Sequence, residues 1–350
     1  MRTSLALTAL TLPLLAVIAS PARAQDVAQA TAPQAGGATV ASPDGTIRVT
    51  VTTDGDGRPS YSVTRNGKPL IEPSRLGFLL TDAPKLERGF AIESHKTSSA
   101  DSTWEQPWGE WKTIRDRHTE LRVRLKERTA LARVMDVVFR VFDDGFGFRY
   151  ELPDQPNLKT ANIADELTEF ALAQDGTAWW IPGAEWNRDE YIYNTTKLSA
   201  VPLAHTPMTV KLGDGTHVSF HEAALVDYSG MWLQRIEGTK LKAVLQPGAK
   251  GPKVIRGTPF TTPWRTMVVS PDAAGIYQSH IMLNLNEPNK LGDVSWFKPS
   301  KYVGVWWEMH LDKASWSTGA KHGATTENVK RYIDFAAKHG FRGVLVEGWN

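Results

Sequence analysis

The sequence predicts a mainly β chain in which a large antiparallel sandwich is followed by a short parallel β-α-β unit. Three observations carry that expectation. Period-two apolar runs recur from residue 44 to about 270, bounded by Gly, Pro, Asn or Asp. No long stretch with helical spacing interrupts them. The segment 301–350 then changes character and reads as strand, polar loop, amphipathic helix and strand.

Residues 1–24 read as a secretory signal peptide, with Arg2 as the charged start, an apolar run over 5–19 and Ala22-Arg23-Ala24 as the cleavage site. The run is shorter than the roughly 18 residues that a transmembrane helix needs. The mature protein is therefore expected to be periplasmic or secreted, with no transmembrane segment after cleavage. Residues 25–43 are rich in Ala, Gln, Gly and Thr without periodicity and are expected to form a disordered leader.

The sandwich is expected over 44–287. Ile47–Thr53 alternates, 61–65 alternates, and Asn66-Gly67 marks a turn into 69–71. Leu121, Val123 and Leu125 share a face. Val134–Phe142, then Asp144-Gly145, then 146–152 read as a hairpin. Further strands are expected at 168–172, 208–211, 217–221, 241–245 and 264–269, with 276–285 as the closing strand. Residues 288–300 form a Pro/Asn linker.

In 301–350, strands are expected at 302–310 and 343–350, with a helix between them. Val329, Tyr332, Ile333 and Ala336 give that helix its i, i+3, i+4, i+7 stripe. Thr325 and Thr326 are available to cap it, and Gly340 suits a left-handed end. The first strand delivers Trp306, Trp307 and Glu308 at its C-terminal end, and the second delivers Glu347, Trp349 and Asn350. In parallel α/β folds that edge carries the chemistry. One such unit leaves an apolar strand edge unpaired. The expectation is therefore that this is the front part of a longer enzyme.

Composition narrows the function. A net charge of +2 gives no electrostatic case for nucleic acid. The absence of cysteine removes thiol catalysis, disulfides and Cys-based zinc sites. Thirteen Trp against eight Tyr suit sugar recognition, because indoles stack on sugar faces and donate an N–H, although Trp also fills sheet surfaces. Two stretches concentrate indoles and carboxylates, 103–111 and 179–187; buried plugs and ligand contacts explain them equally on composition alone. Read from the residues, Glu222 is a solvated strand-end carboxylate, and His217 and His221 are structural histidines.

Several stretches resemble glycoside hydrolase family 97, the bacterial α-glucosidases and α-galactosidases. They are Pro-Trp-Gly-Glu at 107–110, His-Thr-Pro-Met at 205–208, His-Glu-Ala-Ala-Leu at 221–225, Val-Gly-Val-Trp-Trp-Glu at 303–308 and the run 340–350 ending Val-Glu-Gly-Trp-Asn. The resemblance covers nearly all of the mature chain. It implies an N-terminal β-super-sandwich, the first β/α units of a (β/α)8 catalytic barrel at 301–350, and a Ca2+ ion beside the reacting sugar. Glu222 aligns with the carboxylate that the sandwich directs at that calcium.

The resemblance further implies a secreted calcium-dependent α-glucosidase acting on starch-derived oligosaccharides. Its acid and base or nucleophile are expected beyond Asn350, so no catalytic residue is assigned within the chain and the chain alone is expected to be inactive. Trp306, Trp307, Glu308, Glu347, Trp349 and Asn350 are the expected substrate contacts, with Glu308 and Glu347 suited to sugar hydroxyls. The alternatives are an α-galactosidase of the same family, a non-catalytic carbohydrate-binding sandwich, and a mutarotase-like isomerase using His217 or His221 with Glu222.

Overall fold

The computed structural model describes residues 29–31, 37–185 and 190–347. The proposed signal peptide, Trp349 and Asn350 lie outside the described residues. Among the described residues, no helix is long and apolar enough to cross a membrane. The chain divides into two compact units: one contains the described residues up to Trp104 together with Thr113–Glu287, and the other contains Glu105–Lys112 and the residues from Pro288 onward.

The larger unit is the antiparallel sandwich. Its strands form an 11-stranded and an 8-stranded sheet, with a 3-stranded sheet beside them. The alternation read from the sequence sets which side chains meet: Leu121, Val123, Leu125, Val137 and Phe139 are buried in one continuous core with Val49, Val51 and Val63. Aromatic rings from both large sheets interlock at its centre. Tyr61 lies 5.5 Å from Phe139 and 5.0 Å from Phe148, and Phe170 meets Phe220 edge-on at 5.4 Å. Burial does not leave the Tyr61 hydroxyl unpaired, since it donates to the Glu169 carbonyl at 2.9 Å.

The expected hairpin forms from β1 (Val134–Phe142) and β2 (Gly145–Leu152). Phe142 pairs with Gly145, so the turn is Asp143-Asp144, one residue earlier than the sequence suggested. Five further elements place the groups discussed below: β3 (Thr160–Glu166), β4 (His217–Ala223), β5 (Trp264–Ser270), and the neighbouring helices α1 (Ala273–Gln278) and α2 (Ile281–Leu285).

The two helices correct the closing strand expected over 276–285. Asp272 accepts from the Gly275 N–H and starts α1, which an alternating strand could not do. Ile281 and Leu285, four residues apart, then bury one helical face in a second apolar cluster with Val138, Phe142, Ala223, Trp264 and Val268. Gly147 makes room for it, because a Cβ there would come within 2.4 Å of Leu285 Cδ1.

The leader is also revised. Ala38–Ala41, inside the span expected to be disordered, is a strand paired with Ile47–Thr53, with Ala38 and Val40 facing the core. The Gln29–Thr31 backbone pairs with residues 95–97. The Ala- and Thr-rich composition hid a short alternation.

The smaller unit contains β6 (Tyr302–Val305), α3 (Trp307–His310), α4 (Thr326–His339) and β7 (Gly343–Val346). The β6–β7 pair is parallel, as expected, with Val305 opposite Val346. Thr325 caps α4 by accepting from Asn328 N–H, and Gly340 closes it with φ 72°, a conformation that glycine adopts without steric cost. The strand expected over 302–310 stops at Val305. Trp306 leaves the extended region and the chain enters α3.

Candidate functional site

Two groups of side chains stand out, one in each unit. In the sandwich, the register of β4 and β5 puts Glu222 directly opposite Arg265. Both project inward, and the guanidinium also reaches Glu166 at the end of β3, with its Nε donating to Oε2 at 3.2 Å and Nη2 to Oε1 at 2.5 Å. Its remaining Nη1 donates to Glu222 Oε2. Thr168 and Tyr228 hydroxyls complete the Glu166 carboxylate at 2.8 and 3.1 Å, and the Met231 N–H donates to Glu222 Oε1 at 2.9 Å.

This cluster is closed to water. The side chains of Glu166 and Arg265 are 0% exposed and that of Glu222 is 7% exposed. Burial raises the Glu222 carboxyl, and the Glu166 charge adds to this, against the pull of Arg265 and the Met231 N–H. Burial and Glu166 likewise hold the Tyr228 phenol well above its usual range. Glu222 is thus a paired interior carboxylate, not the solvated strand-end group that its position in the sequence suggested.

His221 lies on the opposite face of β4, because adjacent strand residues alternate. Burial pushes its imidazole down. A His221/Glu222 acid–base pair of the mutarotase kind is therefore not assembled. For calcium, the donor type fits, and two carboxylates against one guanidinium leave one negative charge over. The ligand number does not fit by itself: calcium takes about six to eight oxygens, and the described residues contain no group of three His, Asp or Glu arranged to hold a metal.

The second group lies in the smaller unit. Because Val305 pairs with Val346, Trp306 and Glu347 each begin the segment that leaves the C-terminal edge of the sheet. Trp306 and Trp307 are 5.5 Å apart, His310 lies 4.5 Å from Trp306, and Trp316 lies 5.3 Å from His310. Trp306 and Trp307 remain 42% and 58% exposed, an open aromatic surface. Glu308 is turned away from it. Its carboxylate accepts from Asn328 Nδ2, and burial together with the nearby Glu308 carboxylate raises the Tyr332 phenol. His310 and Trp316 were missed by the sequence reading; only the i, i+3 spacing of Trp307 and His310 could have signalled a turn of helix there.

The other indole-rich stretches take different roles. Trp108 packs on Phe297 at 4.8 Å within the smaller unit. Trp104 donates to Asn284 at 2.9 Å, and Trp180 to Thr196 at 3.1 Å. Residues 186–189 lie outside the described residues.

Comparison with known proteins fits both the sandwich and the unit that follows it. The chain is 27% identical to a retaining alpha-galactosidase of Bacteroides thetaiotaomicron over 89% of its own length and 50% of the relative's. It is 28% identical to a probable retaining alpha-galactosidase of Streptomyces bingchenggensis, over 95% and 48%. A solved glycoside hydrolase family 97 enzyme from Pseudoalteromonas sp. strain K8, in complex with panose, superposes with a TM-score of 0.84 at 48% identity, over 89% of this chain and 47% of that one. The same enzyme has been solved with acarbose. The chain spans about half the length of these relatives. Residues 40–288 match the model for the glycosyl-hydrolase 97 N-terminal region and 306–350 that for glycoside hydrolase 97, so the chain belongs to glycoside hydrolase family 97.

Proposed function

We propose that this chain belongs to an α-glycosidase that acts on α-linked glucose oligosaccharides, with β6, α4 and β7 as the start of a (β/α)8 catalytic barrel. The observation that carries the reading is the open surface of Trp306, Trp307 and His310, with Trp316 packed against His310, at the C-terminal edge of a parallel strand pair. Indole faces stack on the C–H faces of a pyranose, and their edges donate to its hydroxyls. Glu347 begins the segment leaving the same edge and is suited to accept from a sugar hydroxyl. Trp349 and Asn350 belong to the same proposed set. Cleavage in such enzymes needs one carboxylic acid to protonate the glycosidic oxygen and a second carboxylate to activate water or attack the anomeric carbon. Neither role is given to a residue of this chain.

The glucoside preference is supported by the solved relative, which holds panose and acarbose at 48% identity. A galactoside reading is favoured by the names of the curated relatives, at 27% and 28% identity. Calcium is kept as a proposed cofactor, with Glu222 as one oxygen ligand and the others drawn from outside the described residues. When bound, calcium would stabilise negative charge on the groups around it.

Titration of the chain with panose and with an α-1,6-galactoside, followed by tryptophan fluorescence, separates the two sugars. The glucose reading expects the tighter binding for panose; preference for the galactoside overturns it. A calcium-dependent rise in melting temperature that is absent in Glu222→Gln supports the metal role, and equal rises in both proteins remove it.

A further inference from the structure

Glu308 sits in the middle of the aromatic turn, yet its contacts all lead elsewhere. Its carboxylate accepts from Asn328 Nδ2 on α4, and one turn further along the helix Tyr332 comes near enough for that carboxylate to raise its phenol. Asn328 is itself fixed, donating to the Gly323 carbonyl at 2.8 Å and, through its backbone, to the Thr325 cap at 3.3 Å. The Glu308 carbonyl accepts from Lys313 N–H at 3.0 Å and Ala314 N–H at 3.2 Å, which ties down the segment leading to Trp316.

Its neighbour Met309 is buried, and a Cβ on Gly323 would come within 2.9 Å of the Met309 methyl. Glu308 and Met309 therefore form the anchored side of the turn, and Trp306, Trp307 and His310 form its open side.

We propose that Glu308 is a positioning residue: held by Asn328 and Tyr332, it fixes the pitch of Trp306, Trp307 and His310 and does not touch the sugar. This reassigns the hydroxyl contact that its place in the sequence suggested, and it rests on the reading of the aromatic surface as a sugar site. The physical reason is that an exposed indole pair binds a flat ligand well only when its angle is set beforehand, because ordering long side chains on binding costs affinity. A carboxylate with donors on α4 sets that angle through one rigid helix.

The test uses the full chain and two readouts. The first needs no ligand: indoles 5.5 Å apart at 42° couple excitonically, giving a far-ultraviolet circular-dichroism couplet that Trp306→Phe removes. The second is the acarbose Kd from tryptophan fluorescence.

Glu308→Ala is expected to shrink the couplet and weaken acarbose. Tyr332→Phe, which deletes one hydroxyl and leaves the fold intact, is expected to do the same and raise Kd about five-fold, as for one lost hydrogen bond. Glu308→Gln keeps an acceptor oxygen for both partners and is expected to stay within about two-fold of wild type.

The opposite pattern, Tyr332→Phe silent in both readouts with Glu308→Gln as damaging as Glu308→Ala, makes Glu308 a direct contact and overturns the proposal. If wild type binds no acarbose, the sugar reading falls. The couplet in Tyr332→Phe and Glu308→Ala then still decides the positioning role, unchanged couplets counting against it.

Discussion

The two units treat their notable side chains in opposite ways. In the sandwich, Glu166, Arg265 and Glu222 face inward and satisfy one another, with the guanidinium and Glu166 wholly buried. In the smaller unit, Trp306 and Trp307 face outward although they are apolar, while the neighbouring Glu308 is engaged by Asn328. Charge is hidden where water would be expected, and aromatic surface is exposed where burial would be expected. An inward charged cluster is expensive to break and contributes rigidity. An outward aromatic surface contributes little to folding and is available to a ligand.

The contrast is broken most severely at its buried side. Arg265→Met leaves two carboxylates facing each other without a cation, and urea unfolding should show a loss of about 3–5 kcal/mol. Adding Glu166→Gln and Glu222→Gln to the same chain should recover much of that loss, since the uncompensated charge is what costs. A loss below about 1 kcal/mol for the single variant would mean that water reaches the cluster.

Burial of acids in the sandwich can be sharpened through pH at Asp144, in the β1–β2 turn. Burial raises its carboxyl above the ordinary 3.8, reinforced by the Asp143 charge and opposed by the Ser279 hydroxyl and by His280. A raised carboxyl favours the protonated folded state. Its stability contribution is complete below 3.8 and is lost as pH rises through the folded value. The stability of wild type minus that of Asp144→Asn should therefore fall as pH rises from 3.8, measured by urea midpoints across that window. A flat difference would show that the group is solvated.

The smaller unit should respond more weakly, and locally. Thr325→Ala removes the α4 cap and should cost about 1 kcal/mol. Gly340→Ala forces a side chain into a left-handed conformation for a similar cost of about 1 kcal/mol. Hydrogen exchange of α4 amides reads both, and sandwich amides should not change. Smallest of all, Lys330→Gln removes an exposed pair with Glu327 at 3.1 Å and should change stability by less than about 0.5 kcal/mol.

What the sequence revealed depended on how local the cause was. The alternation at Leu121, Val123 and Leu125 announces its own buried face, and Thr325 with Gly340 brackets α4 through neighbouring backbone groups alone. The span 276–285 was misread because an isolated apolar stretch fits either a strand or a helix. The cap at Asp272 and the seat offered by Gly147 decide for helix.

The end of β6 was hidden for the same reason, since the apolar run continues through Trp307 while the backbone turns at Trp306. Glu222 was misjudged because its partner Arg265 is 43 residues away, and only strand register brings them together. Part of the expected sugar-contact set, Trp306 and Trp307, does form one surface, whereas the anchoring of Glu308 depends on α4 and could not be read locally.

On the proposed reading the aromatic edge is the sugar site, and the buried Arg265–Glu166 pair is scaffold. The most direct measurement is acarbose binding by wild type, Trp306→Ala and Trp307→Ala, with urea midpoints for all three. Each substitution should weaken binding by about 2 kcal/mol, roughly thirty-fold, with sandwich stability unchanged. Undiminished binding in both variants would contradict the account.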